Sequence, residues 1–222
     1  MNVQSELFLR GAWYAVEQSG VLLKDAITLH SSESYASAVV LALLSREEFG
    51  RGHILLDLWR KASDGTDVSS EEMQNACDDH IEKQRRGQNS VTYRLQGASG
   101  LTKLMQDRSK AIGTPEYAEL DNKLKKIDEL KMKKTPPERH STRLKAMYVD
   151  FNEATAEWNR PCLLAKDKAT DCLTDAINDY LVNRDRLTQL EILRTTDPDL
   201  AKAIGNWSDR PALPLLIWPA QE

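Results

Sequence analysis

Residues 35–60, YASAVVLALLSREEFGRGHILLDLWR, are apolar on almost every side of a helix until the block Arg46-Glu47-Glu48-Phe49-Gly50-Arg51-Gly52-His53 interrupts them. From Tyr35 to Leu44 only Ser37 is polar, and the apolar series resumes at Ile54, Leu55, Leu56 and Leu58. A helix with no polar face needs neighbours on several sides, so this segment predicts the central helix of an all-α bundle. The polar block then falls inside the bundle. Glu47 has Val40, Leu43, Leu44 and Ile54 at its helical neighbour positions, which sets its carboxylate in the apolar stripe with Arg51 one turn on. A charge so placed is either paired or functional.

The rest of the chain reads as further helices. Apolar residues at three-to-four spacing predict a first helix over roughly 5–30, weakened by Gly11 and Gly20. Ser31, Ser32 and Ser34 supply turn and N-cap chemistry for the central helix, and Ser69-x-x-Glu72 is a capping box opening a third helix through His80 to about Arg86. A short helix is expected around 99–111, and Thr114-Pro115-Glu116 marks another start. Pro136-Pro137 is expected to break whatever precedes it, inside an irregular basic insertion. YVDFNEATAEW then suggests an extended turn or short hairpin. Arg160-Pro161 opens a long helix to about Arg194, and Asp197-Pro198 starts a last short one ending near Gly205. The tail, 206–222, is Pro-rich and apolar and is expected to lie extended against the body or a partner.

With 222 residues the chain fits one domain, 1–222. It has neither a bilayer-length apolar run nor a signal-peptide pattern, which points to a cytoplasmic protein without membrane contact. Cys77, Cys162 and Cys172 are odd in number and lack C-x-x-C spacing, so reduced thiols are expected rather than disulfides or zinc. The net charge of −4 argues against general polyanion binding. Charge is uneven, however: residues 123–145 hold nine Lys and Arg against three acids, or 9 − 3 = +6. Such a segment is either a solvated face or a local phosphate-binding surface.

Three blocks in order, S-R-E-E-F-G-R at 45–51, D-H-I-E-K at 79–83 and A-M-Y-V-D-F at 146–151 followed by W-N-R-P at 158–161, resemble the AbiV family of abortive-infection proteins, within the HEPN superfamily. The resemblance covers roughly residues 10–190. It implies an all-α HEPN bundle, usually a homodimer, acting in bacterial defence against phage. Many HEPN proteins are metal-independent ribonucleases with an Arg-x(4–6)-His motif, and this chain offers Arg46 and His53, six residues between them, on an early helix where the family has its S-x-E-E-x-G-K/R block.

The chemistry can be argued from the residues as well. Arg46 and His53 are seven apart, hence on one face about 10 Å apart along the axis, within reach of one phosphodiester. RNA cleavage without a metal needs a base for the 2′-OH proton, an acid for the leaving oxygen and a cation for the phosphorane. His53 can serve as base or acid, and Arg46 or Arg51 as the cation. His80 and Lys83 share a face of the third helix, and with Glu47 or Glu48 they would complete a cluster of carboxylate, imidazole and amine. Arg139, His140 and Arg143 can bring further cations to the same cleft. The candidate catalytic set is therefore Arg46, Glu47, His53 and His80, and the candidate binding set is Glu48, Arg51, Lys83, Arg139, His140 and Arg143. Against these stands the plainer reading of bundle ion pairs and surface histidines. His30, at a helix end, is expected to act as a charge on the C-terminal dipole.

No metal site or cofactor is expected. A di-metal bundle needs Glu-x-x-His on paired helices, the chain has no Glu-x-x-His, and adjacent glutamates point about 100° apart. P-loop, dinucleotide-glycine and nucleophile-elbow patterns are likewise missing from the sequence. Two functions follow: an abortive-infection effector that cleaves RNA, or a non-catalytic helical defence protein that binds a phage protein or nucleotide. An open setting for Arg46 and His53 would favour the first, and burial within one bundle the second.

Overall fold

A computed structural model of the chain describes residues 4–88 and 99–188, together with Pro198, Asp199 and Lys202. Two long helices, α1 (Ser5–Ser31) and α2 (Tyr35–Ser63), form an antiparallel hairpin. The turn between them puts Glu33 at φ 61, and Ser34 makes no side-chain cap, contrary to the capping role expected of it. Small residues let the two helices cross closely. Ser19 and Ser45 exchange bonds, each hydroxyl donating to the other's carbonyl at 2.7 and 2.8 Å, and a Cβ at Gly52 would press on Ala12 and Val16. What lowers helix propensity in this sequence therefore permits the packing.

The central position of α2 follows from its apolar girth. It meets α1 on one side and, on others, α4 (His80–Arg86), α6 (Glu116–Met147) and α7 (Lys166–Thr188). Phe8, Trp13, Val16 and Leu23 of α1 close a core with Phe49, Leu55 and Leu56 of α2 and with Leu173, Ile177 and Tyr180 of α7. A smaller cluster of Val39, Leu43, Ala146 and Ala169 joins α2 to α6 and α7. Among the described residues the only sheet is a two-stranded hairpin, β1 (Asp150–Asn152) and β2 (Glu157–Asn159). No helix of the described residues is long and apolar enough to cross a membrane.

Four sequence expectations are corrected. The third helix is two: α3 (Ser70–Asp78) and α4, separated at Asp79, which turns extended and caps α4 by accepting from the N–H groups of Ile81 and Glu82. The Ser69 hydroxyl does cap α3, but Glu72 pairs with Lys61 instead of closing the box. Pro136-Pro137 does not break α6, and the basic segment 123–145 is helical rather than irregular. Proline's fixed φ is itself helical and two prolines remove only two backbone donors. The following turns compensate by burying Arg139, Arg143 and Ala146 against the body. Finally, Pro161–Leu163 form a 3-10 turn, so that α7 begins only at Lys166. It follows α5 (Ser99–Lys110), α6 and the hairpin in chain order. The expected end of α7 near Arg194, the short helix to Gly205 and the tail 206–222 lie outside the described residues, apart from Pro198, Asp199 and Lys202.

Candidate functional site

Glu47 is the hub of a polar cluster on the inner face of α2. Its residue is 2% exposed, yet both carboxylate oxygens are occupied: Oε2 lies 2.7 Å from Nδ1 of His80, Oε1 accepts from Nε2 of Gln84 at 3.0 Å, and Nε of Arg143 stands 3.4 Å from Oε1. The partners come from two helices. The Asp79 cap starts α4 so that His80 and Gln84, one turn apart, both face α2. The expected partner Arg51 instead pairs with Glu48 at 3.2 Å.

Two glycines set this distance. A Cβ at Gly50 would collide with the carbonyl oxygen of Lys83, and one at Gly87 with that of Arg46. Helices α2 and α4 therefore touch backbone to backbone, and the short side chains between them can reach one another. Only glycine permits this approach.

The outer edge of the cluster holds two imidazoles. His80, its side chain 46% exposed, stacks on His140 of α6 with ring centroids 5.6 Å apart and planes 28° apart. Nη2 of Arg143 lies 3.4 Å from Nδ1 of His140. Burial, then the Arg143 charge, lowers the His140 pKa below the usual histidine value. An imidazolium at His80 faces a carboxylate, whereas one at His140 faces a guanidinium. If His80 is neutral and donates from Nδ1 to Glu47, its Nε2 carries a lone pair; if His140 is neutral and accepts at Nδ1 from Arg143, its Nε2 carries the proton.

The remaining candidates separate into two groups. Lys83 is buried beside Glu48 and Arg51; burial, then Arg51, pulls its pKa down, while burial raises Glu48 despite that same cation. Arg46 turns the other way, its side chain 1% exposed, with an ion pair to Asp179 and a contact of 3.8 Å to Asp175, both on α7. Arg139 joins that network, donating to Gln88 at 2.6 Å and to Asp175 at 3.2 Å. His53, half-buried, leans on Phe49 at a centroid distance of 5.4 Å. Thus Glu47, His80, His140 and Arg143 are brought together, Glu48, Arg51 and Lys83 sit beside them, and Arg46 and Arg139 belong to a buried clamp between α2, α6 and α7. His30 is corrected as well: burial and Lys166 lower its pKa, and its ring bonds to Thr170 Oγ1 at 2.9 Å instead of carrying a dipole charge.

Sequence reasoning missed Gln84, Asp175 and Asp179. The spacing of four from His80 was a usable signal for Gln84. Asp179 carried a weaker one, a lone acid beside the apolar series Leu173, Ala176, Ile177 and Tyr180.

Residues 8–177 match the family model HEPN_AbiV, described as AbiV. No curated protein and no solved structure matches the chain.

Proposed function

The chain belongs to the AbiV family of abortive-infection HEPN proteins, and on that footing we propose that it is a metal-independent ribonuclease whose reacting groups are His80 and His140. What supports the reading is one juxtaposition: two imidazoles 5.6 Å apart at the surface, one held by a buried carboxylate and the other beside a guanidinium. His80, oriented by Glu47, takes the 2′-OH proton at Nε2, and the 2′-oxygen attacks phosphorus. His140 in its imidazolium form delivers a proton to the departing 5′-oxygen and returns to neutral imidazole; burial and the Arg143 charge lower its pKa, so that form is the minority one near neutral pH but gives up its proton readily. Arg143 balances the charge on the phosphorane. The products are a 2′,3′-cyclic phosphate and a 5′-hydroxyl. Arg46, Arg139 and His53 are assigned no part in the chemistry, and the partly exposed Arg51 is left to meet the flanking backbone, with Glu48 as its ion-pair partner and Lys83 buried beside them.

A second reading has its own support. Arg46 is buried within the bundle, the setting that favours a binding protein, and Glu47 is buried and bound from two helices as a purely structural network would be; the protein would then act by binding a phage protein or nucleotide. The family resemblance further leads us to take the protein as a homodimer, which light scattering above 25 kDa would bear out, and the sequence leads us to place it in the cytoplasm. The deciding experiment incubates the purified protein with an oligoribonucleotide and chelator, beside its all-2′-deoxy analogue. Cleavage of the first alone, reduced roughly 10²–10⁴-fold in each of His80→Ala and His140→Ala, is expected. Folded variants that cut RNA and block phage as well as the wild type would hand the function to the binding reading.

A further inference from the structure

Beyond the histidine cluster, the hairpin that follows α6 presents exposed aromatic and aliphatic side chains, set among polar ones, that nothing among the described residues covers. Phe151 and Trp158 stand opposite one another in the β1–β2 register, their rings 5.2 Å apart and 43% and 65% exposed. Tyr148, Val149 and Leu163 beside them are more than half exposed. The surface is concave, enclosing about 870 Å³ between the hairpin and the start of α7. It is also preformed, because Asn159 Nδ2 donates to the carbonyls of Lys145 and Tyr148 at 2.7 and 2.9 Å and so ties β2 to the end of α6.

The charges of the groove say what it takes. Lys145, Arg160 and Lys168 are matched by Asp150, Glu153 and Glu157, which gives 3 − 3 = 0. A neutral lining offers no counterion-release advantage to a polyphosphate, so single-stranded RNA is disfavoured. An uncharged ligand suits it, and a proline-rich one best, since a proline-rich segment docks its rings on exposed aromatics at small entropic cost while its carbonyls stay free for the polar side chains around them.

The chain carries such a segment. Residues 211–220, PALPLLIWPA, contain no charge and three prolines, and Pro211-Ala-Leu-Pro214 has the P-x-x-P spacing of polyproline ligands. Reach is sufficient. The groove lies at the N-terminal end of α7, whose 23 residues carry the chain about 35 Å away at about 1.5 Å per residue. Even leaving out 198–202, where Pro198, Asp199 and Lys202 are helical, residues 189–197 and 203–210 can span up to about 53 Å at about 3.1 Å per residue. A ligand tethered this way sits at millimolar effective concentration, so even a weak contact is made within one chain rather than between two. We propose that the groove between Phe151, Trp158 and Leu163 binds the chain's own segment Pro211–Pro219.

The test uses the full-length protein with the photoreactive residue p-benzoylphenylalanine in place of Leu215. Irradiation should give a monomer-sized product cross-linked within residues 148–163. The yield should fall at least tenfold with Trp158→Ala and persist with Trp158→Phe, both variants keeping the wild-type circular dichroism. A cross-link only on dimer-sized product would mean that a second copy fills the groove. Cross-links elsewhere, or wild-type yield in Trp158→Ala, would equally overturn the assignment, as would retardation of single-stranded RNA that depends on Trp158.

Discussion

Glu47 and His80, 33 residues apart in the chain, are joined at 2.7 Å, a carboxylate oxygen of α2 against the first residue of α4. The bond links the most buried acid of the polar block to a half-exposed imidazole, and a network of this kind is expected to contribute to stability and to proton transfer alike.

Glu47→Ala should destabilise the protein by roughly 3–5 kcal/mol, because it leaves the guanidinium of Arg143 buried without its counter-charge. For a chain of this size that is a fall of roughly 6–20 °C in Tm. Calorimetry that returns an unchanged Tm would contradict the burial assigned to this carboxylate.

Gly50→Ala should act through geometry alone. Its methyl group would meet the backbone oxygen of Lys83, which cannot swing aside as a side chain would, so α4 must move off α2. We expect a cost at or above the roughly 1–3 kcal/mol usual for overpacking, and with it loss of the proposed RNA cleavage. A variant as stable and as active as the wild type would show that the two backbones are not in contact.

Arg46→Ala removes the ion-pair partner that Asp179, itself 2% exposed, has on α2, and should cost up to roughly 3–5 kcal/mol in urea denaturation. Arg46→Met combined with Asp179→Leu should recover most of that loss and keep RNA cleavage. Failure of the apolar pair to cleave RNA, once folded, would return Arg46 to the catalytic set.

His140 gives the protein a pH dependence of defined sign. Its folded pKa lies below the ordinary value of 6.5, so its contribution is complete above pH 6.5 and is lost as pH falls through the folded value, when the unfolded chain takes up the proton first. His30 acts in the same direction. Urea midpoints at pH 8 and pH 5.5 should differ less in His140→Asn than in the wild type; equal differences would show that His140 titrates normally.

The elements carrying the strongest periodicity were legible in the chain itself. The helix expected over 35–60 runs from Tyr35 to Ser63, the first from Ser5 to Ser31, and the family blocks sufficed to name the resemblance. Apolar pattern is a property of each segment, and α2 needs neighbours whatever they are. Where local signals and packing compete, the sequence alone misleads: Pro136-Pro137 reads as a break because two lost donors are visible in the chain, while the burial of Arg139 and Arg143 that outweighs them is not.

Pairing within the polar block was decided only in three dimensions. Arg46 and Glu47 are adjacent, yet about 100° of helix rotation sends one to Asp179 of α7 and the other to His80 of α4. An arginine and a histidine at motif spacing therefore fall into different environments, and the two imidazoles that do meet, His80 and His140, lie 33 and 93 positions beyond Glu47. Spacing along one helix fixes direction from its axis, but which helix lies in that direction depends on how α4, α6 and α7 pack around α2. That packing rests on contacts such as Gly50 against Lys83, between residues that no local pattern connects.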